Sequence, residues 1–166
     1  MKKIILVLTT LILTSGLYAQ SFDSSKLRAG AGLVYATDIN NIGIAFNGVY
    51  SFTNEWEGAV GFTHIFKKDY VSYNVLDFDA HYVFYDVNES FNLYGLAGLG
   101  ITFWKVEGMD VMGFTVPDQS GSDVGLNLGI GGNYALSDNL NLAPEIRFTV
   151  MDGSYARIGA TLQYKF

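Results

Sequence analysis

From residue 26 to the carboxy-terminus, apolar side chains take every second position in runs of about ten residues, with polar or very small side chains between them. A period of two belongs to a strand with one face in an apolar medium, because successive Cβ atoms point to opposite sides. Eight such runs are predicted, at 26–36, 42–52, 55–66, 72–84, 91–104, 124–136, 140–151 and 155–166. Each is long enough for a tilted strand that crosses a bilayer, which needs about 9 to 11 residues.

One face carries Leu33, Tyr35, Ile42, Phe46, Val60, Phe62, Phe78, Tyr82, Leu99, Phe103, Leu126, Leu128, Ile146, Phe148, Ile158 and Leu162, and no Asp, Glu, Lys or Arg falls on it. Alternation alone leaves open whether this face fills a soluble core or meets lipid. The other face decides, because it is dominated by small and polar residues such as Gly30, Gly32, Ala45, Asn47, Gly61, Thr63, Gly98, Gly100, Asn127, Gly129, Gly131, Gly159 and Thr161. A soluble surface would be rich in long Lys and Glu, whereas the inside of a narrow barrel admits only what fits. The fold class is therefore all-β, an eight-stranded antiparallel up-and-down transmembrane β-barrel.

The inward face also holds charges, with Glu57, Asp77, Asp79 and Glu145 set against Lys26, Arg28, Arg147, Arg157 and Lys165, and His81 in the same row. Near balance is what an enclosed interior requires, since an unpaired buried charge is costly. These ten residues are the candidate lumen charge network. Hairpins centred near 138 and 153 would place Gly131 beside Glu145, and Gly129 and Gly159 beside Arg147, leaving room for the long side chains. Glu145 would then be the main partner of Arg147 or Arg157. The arrangement reads as a salt-bridged plug or as an ion-selective constriction, and eight strands favour the plug.

Tight polar turns at 53–54, 85–90 and 137–139 alternate with connections at 37–41, 67–71, 105–123 and 152–154, so both mature ends lie on the periplasmic side. Phe52, Trp56, Tyr82, Phe84, Phe91, Tyr134, Tyr164 and Phe166 gather near that rim as an aromatic girdle. Pro144 lacks a ladder donor and predicts a bulge or shear irregularity. The outer connections are acid-rich, with Asp38, Asp69, Glu107, Asp110, Asp118, Asp123 and Asp152 against Lys67, Lys68 and Lys105. Segment 105–123 is the only outer connection long enough to form its own surface, and Met109, Val111, Met112 and Phe114 make it the candidate partner loop.

The amino-terminus is a separate matter. Met1–Lys3 is a short basic start, Ile4–Leu13 an apolar stretch too short to span a bilayer as a helix, and Thr14–Gln20 a small and polar exit. Residues 1–19 are expected to be a cleaved signal peptide, with 20–166 as the barrel domain.

Composition narrows the chemistry. Charged residues make up 16% of the chain, well below the roughly 25% of soluble domains. The formal charge of -6 argues against nucleic acid as a partner, and the absence of cysteine removes thiol catalysis and thiolate metal sites. His64 and His81 are the only histidines. Asp77, Asp79 and His81 form an Asp-x-Asp-x-His row that could hold a metal or orient an acid–base pair, but pairing with arginines across the lumen is the stronger reading. No catalytic residue, metal or cofactor is expected.

The last ten residues, RIGATLQYKF, alternate Ile158, Ala160, Leu162, Tyr164 and Phe166 and end on an aromatic. This resembles the terminal strand of bacterial outer-membrane barrels. With LYGLAGLGIT at 93–102 and APEIRFT at 143–149, residues 22–166 resemble the small OmpA/OmpX-type outer-membrane β-barrel family. The resemblance implies export through the periplasm to the bacterial outer membrane, with lipid and lipopolysaccharide as surroundings. It further implies periplasmic chaperones and the barrel-assembly machinery as partners, with Leu162, Tyr164 and Phe166 as the assembly signal. A non-enzymatic structural or surface-interaction role is expected, its extracellular ligand unspecified. A narrow ion or small-solute channel is the alternative, followed by a lipid-modifying enzyme.

Overall fold

The computed structural model describes residues 23–87, 90–111 and 114–166, and side chains within these apart from 109–116. The expected signal peptide at 1–19 and Met112 lie outside the described residues.

A short 3-10 turn, Ser24–Lys26, leads into β1 (Leu27–Ala36), β2 (Asn41–Ser51), β3 (Trp56–Lys68), β4 (Val71–Val87) and β5 (Phe91–Val106). Two three-residue strands, β6 (Met109–Val111) and β7 (Phe114–Val116), pair with each other, and β8 (Gln119–Ser137), β9 (Leu140–Val150) and β10 (Tyr155–Lys165) follow. The eight long strands close in the order β1-β10-β9-β8-β5-β4-β3-β2. Every pairing is antiparallel, and the seam joins the two ends of the chain from Arg28↔Lys165 to Ala36↔Arg157.

Register fixes the girth. A circuit from Leu27 runs through Tyr50, Gly58, Ala80, Ala97, Leu128, Phe148 and Ala156. It returns to β1 at Thr37, whose N–H bonds the Ala156 carbonyl at 3.0 Å, ten residues above its start. Eight strands with a stagger of ten residues imply a tilt of roughly 40° and a radius of about 8 Å, room for side chains and little else.

The two faces fall as the alternation requires. Leu33, Phe46, Val60, Phe78, Leu99, Leu126, Ile146 and Ile158 are exposed on the wall, and Glu57, Asp77, Asp79, His81, Asn127, Arg147 and Arg157 are buried inside. The strands run longer than their apolar runs. The connection expected at 67–71 shrinks to Asp69–Tyr70, both with positive φ (49° and 68°), as a two-residue hairpin turn of matching twist requires. The connection expected at 105–123 shortens to 107–118 and contains the β6–β7 hairpin, and Asp123 sits within β8.

Two registers differ from expectation. The β9–β10 hairpin centres near 152, not 153, so Arg157 faces Arg147, and Gly159 faces Glu145. Pro144 causes no shift, because Gly131↔Glu145 and Tyr134↔Leu142 lie in the same register on either side of it. Its missing N–H opens the β8–β9 ladder only across Gly132–Asn133, while the β10 side stays paired through Ala160. The shifts occur instead at Ile65/Lys68 and Ala135/Ser137, next to turns, and at Val83/Tyr85, where a bulge at Phe84 is followed by three more β4–β5 pairs.

Candidate functional site

The lumen is built in tiers. At mid-height Asp77 on β4 and Arg157 on β10 face each other across the full width of the barrel, since four strand-to-strand steps separate them in either direction. Arg157 donates to both oxygens of Asp77, Nη1 to Oδ2 and Nη2 to Oδ1, each at 2.7 Å. Asp77 also accepts from Asn127 Nδ2 (2.9 Å) and lies 2.9 Å from Arg147 Nη1. Arg147 reaches Asp79 at 2.8 Å and Glu145 at 2.8 Å, and Asn127 bridges to Asp79 and Thr149. Asp77, not Glu145, is therefore the hub: Arg157 depends on Asp77, and Arg147 has three carboxylates. Arg157 lies opposite the like-charged Arg147 on the neighbouring strand, and its guanidinium spans the lumen to the carboxylate four strands away.

Glycines make this tier possible. A Cβ on Gly98 would lie 2.3 Å from Asp79 Oδ1, and one on Gly131 would lie 2.4 Å from the Tyr94 ring, so neither position admits a side chain beside its neighbour. Below, Tyr94 donates to Glu145 (3.0 Å) and stacks flat on His81 at 4.4 Å between centroids. Glu57 accepts from Arg28 (2.8 Å) and Ser51 (3.0 Å), and His81 Nδ1 lies 3.7 Å from it. Lys26 and Lys165 stand apart from these pairs. Both are exposed and line the polar periplasmic mouth with Asp86, Asn92 and Asn141, because they flank the first and last turns of the wall.

An outer tier was missed by the sequence reading. Ala36, Ile39 and Ile65 are buried together against Val71 and Tyr73, and Tyr155 packs beside Tyr73 and shares a 2.9 Å hydrogen bond with Thr102. Tyr73 also donates to Asp38, and Trp104 donates to Asp123 at 2.9 Å. The available signal was the apolar residues at inward parity, Ile65, Val75 and Tyr155, all within a few positions of the outer turns.

The Asp77-x-Asp79-x-His81 row is divided, its carboxylates on arginine and asparagine and its imidazole on Tyr94. Among the described residues no cluster of three or more His, Asp or Glu is spaced to hold a metal ion. His64 is on the outer wall, its Nδ1 2.8 Å from Asn74 Oδ1 and its ring edge-on to Phe66. No helix among the described residues is long and apolar enough to cross a membrane.

A closed wall with an apolar outside and a paired polar inside has its counterpart in sequence, for the family described as outer membrane protein beta-barrel domain matches residues 5–166. The chain belongs to that family. Among solved structures, the N-terminal β-barrel domain of Pseudomonas aeruginosa OprF superposes with a TM-score of 0.69 at 15% identity, covering 85% of this chain and 98% of that one. The attachment invasion locus protein Ail of Yersinia pestis gives 0.60 at 20% identity over 84% and 96%. Neisserial surface protein A gives 0.59 at 19% identity over 84% and 96%. No curated protein matches the chain in sequence. The protein is a bacterial outer-membrane β-barrel, and its apolar wall lies among the lipids of that membrane.

In this outer-membrane barrel aromatic rings gather on the wall at the end that holds Leu27 and Lys165. Trp56 and Tyr82 pack at 4.9 Å and Tyr164 and Phe166 at 5.3 Å, with Leu162, Tyr164 and Phe166 all about half exposed on the wall of β10. On the outer side Lys67 pairs with Glu107 (2.8 Å) and Lys105 with Asp118 (2.9 Å), while Lys68 donates to the Asn40 carbonyl. Asp118 also accepts from the Gly108 N–H at 2.8 Å, and that bond together with Lys105 holds its carboxyl below the usual carboxylate range. Met109, Val111 and Phe114 lie on the backbone of the β6–β7 hairpin.

Proposed function

We propose that this outer-membrane barrel is a non-enzymatic structural and surface-interaction protein whose lumen is closed to solutes. The observation that carries the reading is the Asp77–Arg157 pair, which joins opposite walls at 2.7 Å with Arg147, Asp79 and Asn127 packed around it. A second closure lies above it in the apolar tier of Ile39, Ile65 and Tyr73. The space an eight-stranded lumen leaves beside this layer is a small pocket lined by Asn47, Thr63, Arg147 and Arg157, with room for a few water molecules.

The surface role rests on asymmetric height. β9 pairs with β8 only from Leu126 downward, whereas β5 pairs with β8 up to Gln119. Gln119–Val124 thus rises beside β5 with its other edge open, and a strand with an open edge can accept a partner strand. The β6–β7 hairpin at its tip is the region proposed to recognise an extracellular partner. Leu162, Tyr164 and Phe166 are proposed as the feature read during assembly, consistent with their exposure in one row. Reconstitution in planar bilayers tests the closed lumen: small, infrequent openings at most are expected, and a steady large-pore conductance would favour the narrow channel instead.

A further inference from the structure

At the end of the barrel away from the seam residues Arg28 and Lys165, β8 keeps β5 as its neighbour from Val124 to Gln119, but among the described residues no strand pairs with its other side beyond Leu126. Hydrogen-bonding direction alternates along an antiparallel strand, and the Ala135 N–H bonds the Ser90 carbonyl at the start of β5. In steps of two from Ala135, Asp123 and Gly121 bond toward β5, so Ser122 and Ser120 turn their N–H and C=O groups to the open side. The inner face beside this edge carries an aromatic platform. Trp104 follows buried Thr102 at inward parity, so its ring is not a lipid anchor. It lies across Gly121, where a Cβ would sit 2.4 Å from Cζ2, and its Nε1 donates to Asp123 Oδ2 at 2.9 Å. Trp104 and Asp123 both stay partly exposed, and exposed Asp152 stands in the β9–β10 turn at the foot of the edge. Among the described residues the cations at this end are engaged elsewhere: Lys67 on Glu107, Lys68 on the Asn40 carbonyl, and Lys105, on the outward face opposite Ser120, on Asp118.

We infer that an extracellular protein partner docks an extended segment along Gln119–Val124 with an arginine or lysine on its inward side. The inference rests on the surface-interaction reading above and adds the chemistry of the partner. A strand bonded to Ser120 and Ser122 meets Gly121 and Asp123 as non-hydrogen-bonded pairs, in which Cα atoms approach to about 4.5 Å and side chains come closest. Gly121 has no side chain to fill that space, so the incoming one crosses the indole and brings its head to the Asp123 carboxylate. A cation there gains from the ring face and from the carboxylate together. An acidic side chain in the same place meets Asp123 and Asp152, whereas a basic one on the outward side meets Lys105. Charge therefore selects both the residue and the face it occupies.

Three labelled ten-residue peptides of alternating Thr and Val, carrying Arg, Gln or Glu at one central position, test the inference on the full barrel in nanodiscs. Amide hydrogen exchange reports the edge and fluorescence polarisation the affinity. Bound peptide is expected to slow exchange at Ser120 and Ser122, with Arg held about tenfold more tightly than Gln and Glu weakest. Asp123→Asn, whose amide oxygen still accepts from Trp104, should bring the Arg and Gln peptides level, and Asp123→Lys should reverse the order of Arg and Glu. Asp69→Asn in the β3–β4 turn should leave the wild-type order unchanged, which separates the site from the general pull of an acidic barrel. Equal affinity of the three peptides, with Ser120 and Ser122 protected, would keep the docking edge and overturn the basic selectivity. Protection at neither serine by any peptide would overturn both, as would protection that appears without peptide as barrel concentration rises, the mark of a second copy. The ranking uses only the wild type, so it decides the matter even if a variant fails to show heat-modifiable migration.

Discussion

Removing the carboxylate of Asp77 should be the most damaging single truncation in the lumen. Its two oxygens take both 2.7 Å bonds from Arg157, the 2.9 Å bond from Asn127 and the 2.9 Å contact of Arg147. The side chains of Asp77 and Arg157 are 3% and 4% exposed, so bulk water does not replace the lost partner, and the small polar pocket beside them has room for only a few water molecules. In Asp77→Ala, Arg157 keeps a 3.3 Å bond to Thr149 and a 5.7 Å approach to the Tyr155 ring, neither of which carries a charge. Leaving one member of a buried pair uncompensated costs about 3–5 kcal/mol. Glu145→Ala should cost less, about 1–2 kcal/mol, because Arg147 loses its two contacts with Glu145 but still reaches Asp77 and Asp79, and Tyr94 loses one hydrogen bond. Adding Arg157→Met to Asp77→Ala should recover part of the loss, since it withdraws the stranded charge. Urea unfolding from lipid vesicles measures all three. If Asp77→Ala costs less than Glu145→Ala, or the second substitution adds to the loss, Asp77 is not the hub and the lumen is wet enough to screen it.

Three further outcomes are expected. Phe166→Asp should reduce the folded, heat-modifiable fraction recovered from outer membranes more than Lys165→Asp does, because residue 166 stands on the lipid face and residue 165 lines the mouth; equal effects would remove Phe166 from the assembly signal. Replacing 108–117 by a short Gly-Ser turn should leave assembly intact, since that segment lies beyond the paired ends of β5 and β8, and should abolish any surface binding the cells show. The Gly108 amide resonance should titrate with Asp118, whose folded carboxyl lies below its usual 3.8, so the contact is present at neutral pH and is lost as pH falls through that lowered value. Asp118→Asn should remove the transition, and a midpoint at or above 3.8 would contradict the pairing.

How much of this was legible in sequence depended on the range of the interaction that decides each feature. The outer wall was, because lipid imposes one requirement on every second residue and Leu33, Phe78 or Ile158 answers it without reference to any partner. The inventory of lumen charges was legible for the same reason. Their partners were not, since that Arg157 meets Asp77 and not Glu145 depends on which strands closure sets opposite each other. A shift of one residue in the hairpin moved Gly159 from Arg147 to Glu145. Ile65, Val75 and Tyr155 were overlooked because an apolar residue at inward parity contradicts a polar lumen unless the outer end is known to be capped. Pro144 was misjudged because a missing donor can open a ladder without displacing it.

The seam between β1 and β10 bears on how the molecule comes apart. Arg28 and Lys165 pair directly although 137 positions separate them in the chain, whereas most of the other long-strand pairings are between strands joined by a short turn. Contacts of such separation form late, after the intervening hairpins have shortened the loop to be closed. The same strand that closes the seam carries Arg157, so swinging β10 away from β1 also draws that guanidinium away from Asp77 on the opposite wall. Zipper and crossbar therefore share a strand: a breach in which β10 swings out loses wall and tie together, whereas one in which β1 peels away leaves β10 on β9 and Arg157 on Asp77.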